Sequence, residues 1–244
     1  CSPYQLDSDS DGVPDIYDQC PNTPAGEPVN YNGCVIVGYG NITILGSDGD
    51  DIYYFVRDLT DNIWKLVKYN TIDGETVITS MPVDSPIWQI LQSTKIGSTF
   101  FFIWYDETHG VELWKSDGTD LGTVMIKDIK SGSVSSYPEE LTVVDNTLYF
   151  KANDGIHGYE LWKSDGTSTG TVMVKDIRSG SDSSEPSFLT SFDNALYFSA
   201  SDGIHGYELW KSDGTTSGTV MVRDINPGVD LSLIHISEPT RRYR

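Results

Sequence analysis

The chain has 244 residues, 16 Lys and Arg against 36 Asp and Glu, a formal net charge of -20 at pH 7 and 11% aromatic residues. So acidic a balance excludes nucleic acid as an electrostatic partner, because phosphate binding is carried by clustered Lys and Arg. No apolar run approaches the ~18 residues of a membrane-spanning helix, and no signal peptide is visible.

The first informative segment runs from Asp7 as DSDSDGVPDIYDQCPNTPAG. With Asp7 at position 1 of a calcium loop, Asp9, Asp11, Asp15 and Asp18 take positions 3, 5, 9 and 12, Gly12 takes position 6 and the Val13 carbonyl position 7. A hard cation such as Ca²⁺ takes about six to eight oxygens, and alternating carboxylates around a glycine turn can converge on one centre. Without the ion the five carboxylates repel one another, and the alternative is an acidic, solvated linker. An EF-hand would need a helix entering the loop, which CSPYQL does not supply.

Cys20 and Cys34 enclose a short loop, and a disulfide between them would staple a segment too small to bury a core, implying an oxidising compartment. Cys1 is left over, so either its partner lies upstream, with the chain beginning in mid-protein, or it is a free thiol. The run from Asp7 through Cys20, Pro21, Asn22, Thr23 and Pro24 to GEPVNYNGC at Cys34 resembles a bacterial thrombospondin type 3 repeat. That resemblance implies that Asp7, Asp9, Asp11, Asp15 and Asp18 bind Ca²⁺. Dockerin loops are similar, but they lead into a helix that Pro21 and Pro24 oppose. Residues 1–34 are therefore read as a calcium module and 35–41 as a linker.

From residue 42 the chain repeats. ELWKSDGT starts at Glu112, Glu160 and Glu208, a spacing of 48 residues both times, and self-similarity at that period means one supersecondary unit in a stacked or radial array. The segments Leu141–Ile177 and Leu189–Ile225 agree at most positions, a looser copy spans roughly Trp88–Ile129, and the loosest, about Ile42–Met81, keeps Ile63, Trp64, Lys65, Asp73 and Gly74. Four units are expected, at approximately 42–87, 88–136, 137–184 and 185–230.

Within a unit, LTVVD, TLYFKA, YELWKS and TVMVKDI read as short strands, rich in Val, Tyr, Phe, Trp and Thr and separated by Asp-Asn and Asp-Gly turns that suit hairpins. Tyr159, Leu161 and Trp162 fall on both faces of one strand, which requires a sheet covered on both sides. Four-stranded blades packed radially meet that requirement, so the expected fold is all-β, a partial or open β-propeller of about four blades. The string ELWKSDGT with GTVMVKDI is similar to the bacterial ELWxxDGT repeat, found in tandem in large secreted or surface proteins. The last visible unit is among the most regular, unlike the terminal unit of a finished array, so an arc or a propeller completed by further blades is expected.

The recurring polar residues allow two interpretations. His109, His157 and His205 could line a channel as a metal ring, but a catalytic group needs one asymmetric site, and threefold repetition favours a hairpin-capping role. Trp114, Trp162 and Trp210 could stack on sugars or pack between sheets, and packing is the commoner fate of a strand Trp. Asp117, Asp165 and Asp213 could bind further calcium, although a hairpin already explains an Asp-Gly pair. The most irregular stretch, Thr99–Glu112, holds Asp106, Glu107 and His109 close together. No catalytic residues are assigned.

Past Gly228 the phase is lost, and LSLIHISEPTR from Leu231 resembles a translated sequencing adapter, so 231–244 is treated as a non-native tail whose removal takes the net charge to -22. Two functions fit. The first is a secreted or surface calcium-binding adhesion or interaction module, non-enzymatic, with a protein or glycan ligand. The second is an accessory region of an extracellular hydrolase or lyase whose catalytic residues lie elsewhere.

Overall fold

The computed structural model describes residues 39–58, 63–82 and 92–225. The calcium-loop residues Asp7, Asp9, Asp11, Val13, Asp15 and Asp18, the pair Cys20 and Cys34, and the tail 231–244 lie outside the described residues. Among the described residues there is no helix, and sixteen strands form four antiparallel sheets of four, each in sequential order.

The first sheet comprises β1 (Tyr39–Asp48), β2 (Asp51–Asp58), β3 (Ile63–Asn70) and β4 (Gly74–Pro82). The chain divides into two compact units, residues 1–44 with 54–83 and residues 45–53 with 84–244, so that the boundary cuts β1 and β2. In the first unit Trp64, Leu66 and Val67 of β3 are buried, the Lys65 ammonium pairs with Asp58, and the Tyr54 hydroxyl donates to Glu75 Oε1 at 2.5 Å.

The second unit holds three successive copies of one blade. They are β5–β8 (Ser93–Ile96, Thr99–Asp106, Gly110–Ser116, Val124–Lys127), β9–β12 (Glu139–Val144, Thr147–Asn153, Tyr159–Ser164, Val172–Lys175) and β13–β16 (Ser187–Phe192, Ala195–Ser201, Tyr207–Ser212, Val220–Arg223). Registers repeat with the sequence: Phe102 faces Trp114, Phe150 faces Trp162 and Phe198 faces Trp210. The last hairpin of each copy carries the same irregularity, with Leu161 opposite Lys175 but Trp162 opposite Met173. A bulge adds one residue to one strand, and here it frees Val174, 3% exposed, to enter the core.

Adjacent blades bury complementary apolar sets. Phe101, Leu113, Ile126 and Ile129 of the β5–β8 blade pack with Leu148, Phe150, Ala152 and Trp162 of the next. Shifted by one repeat, Tyr149, Leu161, Val174 and Ile177 pack with Leu196, Phe198, Ala200 and Trp210. Each blade thus offers one face forward and another backward, which is why its strands are apolar on consecutive positions. The expected all-β architecture of four-stranded blades is what the described residues adopt, with β5–β16 packed as three successive propeller-type blades.

Candidate functional site: the repeated polar network

Glu160 opens the motif and is fully buried in β11. Its carboxylate accepts from the Ile177 amide at 2.9 Å, the Arg178 amide at 3.4 Å, the Ser184 amide at 3.0 Å and the Ser184 hydroxyl at 2.7 Å. These donors belong to the segment that carries the chain from β12 to the next blade. Glu112 does the same one repeat earlier, accepting from Ile129 at 3.2 Å, Lys130 at 3.5 Å and the Ser136 amide and hydroxyl at 3.1 and 2.6 Å. Glu208 accepts from the Ile225 amide at 2.9 Å. Burial pushes the Glu112 and Glu160 carboxyls up to about 7, against the opposing pull of the serine hydroxyl and the amides.

The linking serine also joins the blades. Ser136 donates its amide to the Val111 carbonyl at 3.2 Å and accepts from the Asn153 amide at 3.0 Å; Ser184 stands likewise between Tyr159 and Ser201 at 3.1 and 2.9 Å. The segment passes so near the preceding turn that a Cβ on Gly158 would lie 2.7 Å from the Asp182 carbonyl, with Gly158 at φ 71.

The rest of the motif is accounted for residue by residue. Lys115 and Lys163 donate across to the Gly166 and Gly214 carbonyls of the following blade, both at 2.8 Å. Lys127 and Lys175 reach the Thr171 and Thr219 carbonyls, also at 2.8 Å, passing over the Trp162 and Trp210 rings at 5.9 and 5.7 Å. Ser164 Oγ meets Thr171 Oγ1 at 2.7 Å and accepts from the Gly166 amide at 3.0 Å. Asp165 Oδ1 accepts from the Thr167 amide and hydroxyl at 2.8 and 2.7 Å. The Thr119, Thr167 and Thr215 hydroxyl bonds hold Asp117, Asp165 and Asp213 below the usual carboxylate range. A Cβ on Gly170 would stand 2.1 Å from Asp165 Oδ1, so the second glycine of the motif leaves room for the carboxylate.

The histidines cap turns in all three copies. His109, His157 and His205 place Nδ1 at 2.8, 2.7 and 2.7 Å from Asp106, Asp154 and Asp202, and those aspartates also accept the histidine amides. The hydrogen bond donated to Asp154 raises the His157 pKa, and that donated to Asp202 raises the His205 pKa. Among the described residues no group of three or more His, Cys, Asp or Glu is placed to hold a metal ion. The irregular stretch Thr99–Glu112 resolves into the same parts, with Asp106 and His109 paired and Glu112 holding the link. Trp162 and Trp210 lie in the interblade cores. Sequence reading singled out His, Trp and Asp but missed the glutamate, whose signal was a carboxylate beside the Leu-Trp pair of a strand buried on both faces.

No family model matches the chain. A stretch of 31 residues, 13% of the chain, is 61% identical to an alpha-agarase of Thalassotalea agarivorans, of which it spans 2%. Solved structures with a similar backbone course include puromycin hydrolase in its S511A form complexed with PGG, with a TM-score of 0.46 and 14% identity over 78% of this chain and 30% of that one. An α-L-arabinofuranosidase from Clostridium thermocellum has a TM-score of 0.27 and 14% identity over 75% of this chain and 70% of that one.

Proposed function

We propose that this chain is a non-catalytic, calcium-binding accessory region of an extracellular bacterial hydrolase or lyase that acts on a polysaccharide. The observation that carries this reading is the fate of the repeated polar residues. Glutamate, histidine and aspartate each hold the same bond in successive blades, Glu160 to Ser184 at 2.7 Å and His157 to Asp154 at 2.7 Å among them. Groups so engaged build a surface and leave chemistry to another part of the protein. The agarase likeness supports a secreted, polysaccharide-directed setting. The calcium part rests on the spacing of Asp7, Asp9, Asp11, Asp15 and Asp18 around Gly12.

The resemblance of ELWKSDGT to repeats of large surface proteins favours a second reading, a free-standing adhesion module. Both are tested by incubating the chain with agarose and measuring retention and newly formed reducing ends. Retention without reducing ends is the expected result. Reducing ends formed in proportion to protein would overturn the non-catalytic reading, and the absence of retention beside capture of a surface protein would favour adhesion.

A further inference from the structure

The forward face of the β13–β16 blade repeats the face that its predecessors bury. Its residues at the places of Leu161, Val174 and Ile177 are Leu209, Val222 and Ile225, yet these are 38%, 45% and 65% exposed where their counterparts are 0%, 3% and 7%. Lys211 and Arg223 hold the places of Lys163 and Lys175, the two cations that reach the next blade, and both are exposed. Tyr197 stands where Tyr149 lies beneath the Gly214 turn.

We propose that this face is a docking surface for one further ELWKSDGT-type blade, joined in tandem after Ile225. Continuity with two interfaces already formed supplies the chemistry of the occupant. It presents a Leu-x-Phe-x-Ala strand and a Trp, as Leu148, Phe150, Ala152 and Trp162 do, together with turn and strand carbonyls for Lys211 and Arg223. Tandem connection is argued from Glu208, which holds the Ile225 amide at 2.9 Å as Glu160 holds the Ile177 amide at 2.9 Å, the first bond of the link between two blades. One interblade bond is not repeated. Gln92 and Glu140 accept the Leu141 and Leu189 amides at 3.0 and 3.3 Å, whereas their successor, Phe188, has no acceptor in its side chain. The new interface therefore relies on apolar burial and the two cations.

The test inserts a second copy of residues 178–225 directly after Ile225 of the full chain, and places Val222→Asp in both the original and the lengthened protein. Docking buries Val222 only in the lengthened protein. There the substitution should lower the melting midpoint by roughly 5 °C or more, against less than about 2 °C in the original. Hydrogen exchange gives a second readout that needs no variant, since amides of 207–212 and 220–223 should exchange more slowly once the blade is added. Equal effects of Val222→Asp in both proteins, or unchanged exchange, would overturn the proposal. So would a concentration-dependent dimer of the original chain that Val222→Asp abolishes, because the face would then serve a second copy.

Discussion

The Tyr149 hydroxyl of one blade lies directly beneath Gly214 of the next, where a Cβ built on the glycine would stand 2.3 Å from the phenolic oxygen. Gly214 also has φ 83, in the left-handed region that an L side chain enters at a cost. The same contact recurs between Tyr53 and Gly118, and more loosely between Phe101 and Gly166, where the nearest ring carbon is 3.3 Å from the would-be Cβ.

Gly214→Ala should therefore destabilise the chain by about 2–4 kcal/mol, combining left-handed strain with overpacking. Gly132, at φ 92 with nothing within 4 Å, separates the two causes, and its alanine variant should lose only about 1–2 kcal/mol. Adding Tyr149→Phe should recover part of the Gly214→Ala loss in chemical denaturation, and no recovery would refute the steric account.

Lys163→Met removes a bond to the Gly214 carbonyl while keeping much of the apolar stem. A loss of about 1 kcal/mol is expected, measured as a melting midpoint lowered by roughly 2–4 °C. Lys211→Met, at the exposed equivalent position, should leave the midpoint unchanged. Equal effects would show that the lysines do not tether blades.

Stability should rise as pH falls from about 8 to about 5.5. Glu112 and Glu160 titrate at about 7 in the folded chain against 4.5 without burial, so the native state binds more protons across that interval and loses the advantage as pH rises. His157 and His205, raised by their aspartates, act in the same sense: their contribution is present below 6.5 and fades as pH climbs through the raised value. For Asp154 and Asp202, burial is outweighed by bonds from the histidines and nearby amides, which lower the pKa, so their contribution is lost only in stronger acid. Melting midpoints across the interval should slope accordingly, and the slope should flatten in the Glu112→Gln, Glu160→Gln double variant. A flat wild-type profile would contradict this assignment.

The fold was largely legible in the sequence because repetition and alternation are local signals. The reading of YELWKS as a two-sided strand between Asp-Gly turns matches β11, and Gly155 and Gly166 have φ 83 and 85 as those turns require. The histidine cap was legible too, because Asp154 precedes His157 by three residues within one turn. The role of Glu160 was not. Its partners lie 17 to 24 residues away on a segment with no pattern of its own, so only the fold brings them together. The lysine tethers span 44 or 51 residues and were hidden for the same reason.

Calorimetric titration of the full chain with Ca²⁺ should give saturable heat that disappears in the Asp9→Ala, Asp11→Ala variant. Absence of heat in the parent would remove calcium from the account. The blades should remain folded after chelation, since the bonds of Glu160, Lys163 and Ser164 that build and join them are made between the chain's own groups.

The central claim, that the repeated glutamate ties one blade to the next, is tested most directly by the melting midpoint of Glu160→Ala. The Ile177 and Arg178 amides lose their acceptor, and the Ser184 amide and hydroxyl are left with the Tyr159 carbonyl alone, so a loss of about 3 kcal/mol is expected, a fall of roughly 6–12 °C. Faster exchange of the Ile177 and Ser184 amides should accompany it. An unchanged midpoint together with lost retention on agarose would show instead that Glu160 serves a ligand, and would contradict the account.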